Sequence, residues 1–156
     1  MHTAFRWSRA AATLLLGLAG VAFAADTPSD PPAAADPLAA ARDHVEAKRW
    51  PAALAELRRV NATSSADWNN LMGYTLRKQA PPDLDGAQRY YDAALRINPR
   101  HMGALEYSGE LALMKGDLAT AEARVAALAK LCHTPCEQLD DLTKSVARFK
   151  ANGGKV

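Results

Sequence analysis

Apolar residues recur at every third or fourth position through most of the chain after residue 36. No stretch alternates apolar and polar residues with the period of two that a half-buried strand requires. Leu, Ala, Glu, Arg and Lys, which favour helices, dominate the same region. The pattern predicts an all-α chain. The expected helices span 37–48, 51–60, 66–79, 84–97, 101–114, 118–131 and 136–150.

The breaks between these helices have local chemical causes. Asp36 and Thr134 each precede a proline, and we expect the polar side chain to cap a helix while proline occupies its first turn. Asn98 also precedes a proline, which disfavours helical geometry at Asn98 and ends the helix there. Gly116 suits the left-handed conformation that closes a helix.

A spacing of 34 residues links the second, fourth and sixth predicted helices. Each contains a small residue, a bulky residue four positions later and an apolar residue three positions after that. A repeat of this length predicts helical hairpins stacked side by side rather than one closed core. The equivalent positions are Trp50, Leu84 and Leu118; Ala53, Ala87 and Ala121; Leu57, Tyr91 and Val125; and Val60, Ala94 and Leu128.

The first 24 residues have the pattern of an export signal. Arg6 and Arg9 precede an apolar run over 10–24 that ends in a small-x-small pattern. The run is shorter than the roughly 20 residues that a membrane-spanning helix needs. We therefore expect residues 1–24 to be a signal peptide cleaved after about Ala24. The mature protein would be periplasmic, without stable insertion in a membrane.

Removal of this segment changes the charge balance of the chain. The full sequence has 19 basic and 17 acidic residues, and the loss of Arg6 and Arg9 leaves 17 of each. A neutral domain with no run of Lys and Arg lacks the electrostatic footprint that nucleic-acid binding requires. We therefore expect no nucleic-acid partner.

The second predicted hairpin carries Gly73, Ala87, Tyr91 and Pro99 at spacings that resemble the tetratricopeptide repeat (TPR) family. The resemblance implies a right-handed superhelical stack of about three hairpins with a C-terminal capping helix. It covers about 36–133. The implied organisation is a disordered Pro- and Ala-rich lead-in at 25–35, a domain at 36–151 with repeats at 36–65, 66–99 and 100–133 and a capping helix at 136–150, and a flexible tail at 152–156.

Small residues in the predicted hairpins have a physical purpose. Gly73 and Gly109 carry no side chain, so the paired helices can approach closely. We expect Leu57, Tyr91 and Val125, at equivalent positions of the second, fourth and sixth helices, to fill the space opposite.

The resemblance also implies a binding surface, because in the TPR family the first helix of each hairpin lines a concave groove. Asn70, Tyr74 and Arg77 share one helical face and are expected to hydrogen-bond a peptide backbone or a carboxylate. The alternative for each residue is a solvated helix face with incidental charges. The implied groove positions are Arg42, Glu46, Asp67, Asn70, Tyr74, Arg77, Lys78, Glu106, Glu110, Leu113 and Met114.

Cys132 and Cys136 are the only two cysteines. In an exported protein such a pair predicts a disulfide, which in so short a loop contributes about 2 kcal/mol. Two alternatives remain. The pair could bind a soft metal together with His133, or act as redox-active thiols, since Cys136 lies near the start of a helix.

The sequence contains no recognisable Ser-His-carboxylate grouping, glycine-rich phosphate loop or zinc-protease motif. His44 and His101 are interpreted as packing or helix-end residues. The sequence therefore predicts a non-enzymatic scaffold or adaptor of the cell envelope that binds a protein or peptide and uses no cofactor or metal. The alternative is a thiol- or metal-linked function at Cys132 and Cys136. Homo-oligomers are also compatible with the repeats.

Overall fold

The computed structural model describes residues 35–155, and this part of the chain is all-helical. It contains seven α-helices and no strand. None of the seven is long and apolar enough to cross a membrane. The predicted signal peptide and nearly all of the predicted lead-in lie outside the described residues. The helices are α1 (Ala39–Glu46), α2 (Trp50–Val60), α3 (Ala66–Lys78), α4 (Leu84–Ile97), α5 (Met102–Met114), α6 (Leu118–Leu131) and α7 (Glu137–Ala151).

Side-chain caps begin the four central helices. Ser65, Asp83 and Asp117 each accept a hydrogen bond from the backbone N–H three residues later, at 3.2, 2.8 and 3.0 Å. His101 caps α5 in the same way, through Nδ1 at 3.1 Å. Caps of this kind stabilise a helix by about 1 kcal/mol each. The predicted turn at Gly116 is confirmed, with a φ of 79°.

The observed α1 and α7 begin differently from the prediction, while the other helices agree with it to within one residue. α1 is shorter because Asp36 Oδ1 accepts a hydrogen bond from the Leu38 N–H at 2.9 Å in a turn before the helix, and Lys48 beyond the helix has a φ of 54°. The residue that precedes α7 is Cys136, in extended conformation, and its side chain makes no capping hydrogen bond. The predictions that Thr134 caps α7 and that Asp36 caps α1 were therefore wrong, since Cys136 and Leu38 precede these helices.

Consecutive helices pack in pairs, α1 with α2, α3 with α4 and α5 with α6, and α7 packs against both α5 and α6. The buried apolar residues form two clusters. The first core joins α1–α4 through Leu38, Ala41, Leu54, Leu57, Trp68, Leu71, Met72, Leu76, Ala87 and Tyr91, with Leu111 of α5. The second core joins α5–α7 through Leu105, Ala112, Leu113, Ala121, Leu128, Leu142, Val146 and Phe149.

Two glycines allow the closest helix contacts. A Cβ atom on Gly73 would lie 2.7 Å from Cε1 of Tyr91, so α3 and α4 meet more closely than any other residue would permit. A Cβ atom on Gly109 would lie 2.6 Å from Cδ2 of Leu142. The residue over Gly109 therefore comes from α7, whereas Val125 of α6, which we expected there, is only partly buried at the edge of the second core.

Candidate functional site

Four aromatic rings, one from each of α2, α3, α4 and α5, form a row of neighbouring rings. Trp50 and Tyr74 meet edge to face with ring centroids 6.3 Å apart, and Tyr74 lies 4.8 Å from Tyr107. Tyr107 in turn lies 6.4 Å from Tyr91. Tyr91 is fully buried and the other three rings are partly exposed. We call these four residues the aromatic cluster.

Arg77 lies at the centre of the aromatic cluster with only 7% of its surface exposed. Its guanidinium carbon is 5.6 Å from the ring centroids of both Tyr74 and Tyr107. Its Nη2 lies 2.6 Å from Oε2 of Glu110, and its Nε donates to the Tyr91 hydroxyl at 3.4 Å. Burial opposes the charge, but Tyr91 and Glu110 outweigh it and raise the Arg77 pKa. The cation therefore holds two partly exposed rings in place.

The tyrosine hydroxyls of the cluster stay neutral. Burial and the nearby Glu106 carboxylate raise the pKa of Tyr107 to about 12. Burial also raises the pKa of Tyr74 and, more strongly, that of Tyr91. A phenol with a raised pKa is a poor general base at neutral pH, so these groups can offer hydrogen bonds and stacking surfaces.

Glu106 lies beside the cluster with 8% of its surface exposed. Burial raises its pKa to about 7, and the negative charges of Glu110, Asp141 and Glu137 add to the shift, while Arg77 opposes it. No described residue forms an ion pair with this carboxylate. The facing parts of α5 and α7 therefore carry an acidic zone that gains or loses a proton near neutral pH.

Four of the predicted groove residues come together. Tyr74, Arg77 and Glu110 form the contacts just described, and Lys78 places its Nζ 5.6 Å from the centroid of the Tyr74 ring. Because Arg77 is buried and already contacts Glu110 and Tyr91, its guanidinium is not available to a ligand. Lys78 is exposed and is the free cation of this group.

Two other predicted positions make different contacts. Arg42 on α1 is exposed and pairs with Asp36, with Nε 3.3 Å from Oδ2. Asn70 on α3 lies beside Gly103, and its buried Oδ1 has no hydrogen-bond partner among the described residues. Partner binding by either residue stays a prediction.

The C-terminal ends of α3, α5 and α7 surround a pocket of about 240 Å³. We call it the C-terminal pocket. Leu113 and Met114 were among the predicted groove residues, whereas the side chains from α7 and beyond were not. The lining residues are Arg77, Lys78, Glu110, Leu113, Met114, Ser145, Arg148, Phe149, Asn152 and Lys155.

Sequence reasoning missed Tyr107, although a signal for it was present. Tyr74 and Arg77 are three residues apart on α3, and Tyr107 and Glu110 have the same spacing on α5. Residues three apart share a helix face. Two such pairs with opposite charges, one on α3 and one on α5, predict the contact that the structure contains.

The two cysteines lie between α6 and α7. The sulfur atoms of Cys132 and Cys136 are at bonding distance, with Cα atoms 6.0 Å apart, and neither thiol is free. Within residues 35–155, no three His, Cys, Asp or Glu side chains are grouped so as to hold a metal ion. His101 lies 3.0 Å from Asp67 through Nε2, and His44 contacts Arg49.

No protein-family model, curated protein or solved structure matches the chain.

Proposed function

We propose that the protein is a non-catalytic scaffold of the cell envelope that binds a segment of a partner protein across α3 and α5. In this proposal the three helix pairs and α7 form a right-handed superhelical stack of the TPR type. Complete burial of Ala53, Ala87 and Ala121, which are 34 residues apart, supports this arrangement. Identical burial at that spacing is expected when each hairpin packs on its neighbour in the same way.

The aromatic cluster is the observation that carries the proposed function. Tyr74 and Tyr107 are partly exposed, and the buried Arg77 beneath them pairs with Glu110. Rings that are fixed before binding lose little conformational entropy when a partner covers them. Tyr, Trp and Arg are also the residues that contribute most strongly at protein interfaces. This surface thus has the composition and rigidity of a protein-binding site.

Photo-crosslinking in cells tests the binding surface. A photo-reactive phenylalanine analogue replaces Tyr74 in one variant and the exposed Arg89 of α4 in a matched control. We expect a discrete crosslinked partner from position 74, lost when Tyr107→Ala is added, and none from position 89. Equal crosslinking from both positions, or none from position 74, would contradict binding at this surface.

The periplasmic location is part of the same proposal, and it rests on the sequence of residues 1–24. Cell fractionation with intact-mass spectrometry measures it directly. We expect the protein in the periplasmic fraction with a mass that begins at about Ala25. A full-length chain in the cytoplasmic fraction would exclude export while leaving the binding surface open to test.

A further inference from the structure

The C-terminal pocket has a cationic rim. Lys78, Arg148 and Lys155 are exposed, and no carboxylate of the described residues forms an ion pair with them. Arg148 donates one hydrogen bond, to the Ser145 hydroxyl at 3.0 Å. The charge of Glu110 at the pocket is balanced by Arg77. Three cations that no carboxylate of residues 35–155 neutralises therefore surround one opening.

Helix dipoles reduce this charge without reversing it. α3, α5 and α7 end at Lys78, Met114 and Ala151, so three helix C-termini converge near the pocket. Each C-terminus is equivalent to about half a negative charge, so together they offset about half of the three positive charges. Among the residues that line the pocket an excess of positive charge therefore remains, which favours an anionic ligand.

Ser145 and Asn152 add polar atoms to the lining, and its apolar part comes from Leu113, Met114 and Phe149. Leu113 and Phe149 form a buried base, and Met114 is 37% exposed at the edge. The volume of about 240 Å³ is below the roughly 300 Å³ at which small-molecule sites usually begin. The space suits one or two side chains of a larger ligand better than a whole cofactor.

We propose that the C-terminal pocket receives a carboxylate side chain and an adjacent apolar side chain of the bound partner segment. The inference rests on the proposed scaffold function and names the chemistry of its ligand. The carboxylate pairs with Lys78, Arg148 and Lys155, and the apolar side chain covers Met114 and Phe149. The preferred ligand is an acidic segment with aliphatic or aromatic residues next to its carboxylates.

Selection from a phage-displayed library of random octapeptides on the purified protein tests this chemistry. We expect enriched sequences with Asp or Glu next to Leu, Ile, Met or Phe. Replacing the acidic residue of an enriched peptide by its amide should weaken binding about tenfold in fluorescence anisotropy, since one charge-assisted contact has that effect. Enrichment of neutral or basic sequences, or no enrichment, would overturn the proposal.

Charge-reversal variants locate the binding. Lys78→Glu with Arg148→Glu should weaken the enriched peptide by at least about tenfold. The matched control is Arg58→Glu with Lys130→Glu, which changes one Arg and one Lys in the last turns of α2 and α6, away from the pocket. Circular dichroism confirms that each variant is folded. Equal loss in both variants, or no loss in either, would place the peptide elsewhere.

These experiments separate the two proposals. Crosslinking from position 74 without any selection for acidic peptides would leave the scaffold function standing and reject the anionic ligand. Absence of crosslinking together with absence of peptide binding would reject both. Weaker binding at higher salt is a further expectation, because the rim cations are exposed and are screened by ions.

Discussion

The α3–α4 and α5–α6 pairs each contain a buried glycine in their first helix, and different residues fill the space over it. Tyr91 of α4 covers Gly73 of α3, so the second pair fills its own interior. At the equivalent position of α6 the chain has Val125, and Leu142 of α7 covers Gly109 instead. The comparison shows that α7 supplies part of the core of the third pair and does not only cover the end of the helix stack.

The two pairs also differ in whether the residue that covers the glycine contacts the candidate binding surface. The Tyr91 hydroxyl accepts a hydrogen bond from Arg77, which in turn holds Tyr74 and Tyr107. The ring that fills the second pair therefore also supports the candidate binding surface. Leu142 has no polar group, and the packing of α5 against α7 is apolar apart from the acidic zone near Glu106.

Replacing Tyr91 by valine would give the second pair the residue of the third, without a helix like α7 to compensate. We expect the free energy of unfolding to fall by about 4 kcal/mol, because the change leaves a cavity over Gly73 and removes the hydroxyl that contacts Arg77. Urea denaturation followed by circular dichroism measures the loss. Tyr91→Phe keeps the ring and should cost only about 1 kcal/mol. Similar losses in both variants would show that the hydroxyl, not the ring, is the main contribution.

Leu142→Ala tests the corresponding contact in the third pair. Leu142 is fully buried, so its truncation should reduce the free energy of unfolding by about 3 kcal/mol. Hydrogen exchange should show the largest loss of protection in α5 and α7. Leu139→Ala, at a partly buried position of the same helix, is the control and should cost less. A loss below about 1 kcal/mol would mean that α7 is only an end cap.

Substituting alanine for Gly73 and for Gly109 tests how far the neighbouring atoms can move to accommodate a Cβ atom. At Gly73 the new Cβ would meet the rigid Tyr91 ring and lie 3.1 Å from the Ala87 carbonyl oxygen. At Gly109 it would meet only the ends of the flexible Leu142 side chain and, at 3.3 Å, Cβ of Arg124. We expect the free energy of unfolding, measured by thermal denaturation, to fall by about 2 kcal/mol for Gly73→Ala and by less than about 1 kcal/mol for Gly109→Ala. The loss at Gly109 is smaller because the better helix propensity of alanine offsets part of the strain. The reverse order would contradict the comparison.

The 34-residue spacing predicted the burial of Tyr91 because the position recurs in helices of the same kind. It could not place Leu142, since α7 lies outside the repeat and its register against α5 depends on tertiary packing. For the same reason the spacing could not predict that Arg148 and Lys155 line the C-terminal pocket. The pairing of Arg77 with Glu110 joins different helices, so neither helix considered alone reveals it. Local periodicity thus predicts the helices and their buried faces. Contacts between residues of different helices can be predicted only when the packing of those helices is known.

The smallest expected effect concerns the acidic zone between α5 and α7. Burial and the charges of Glu110, Asp141 and Glu137 raise the Glu106 pKa from 4.5 to about 7, with Arg77 of α3 opposing them. The folded chain therefore holds this proton more tightly than the unfolded chain does. The stability contributed by protonated Glu106 is complete below about pH 4.5 and is lost as the pH rises through about 7.

Glu106→Gln removes this pH dependence by keeping the side chain neutral. At about pH 8 we expect the variant to be more stable than the wild type by about 1 kcal/mol, because the wild type must keep an ionised carboxylate buried beside other carboxylates and Gln is neutral. At about pH 4.5 the two should be equally stable. Glu110→Gln is the matched control and should lower stability at about pH 8, since it leaves Arg77 buried without its carboxylate. Urea denaturation at both pH values decides the matter, and a constant difference between wild type and Glu106→Gln would show that the α5–α7 contact does not depend on ionisation of Glu106.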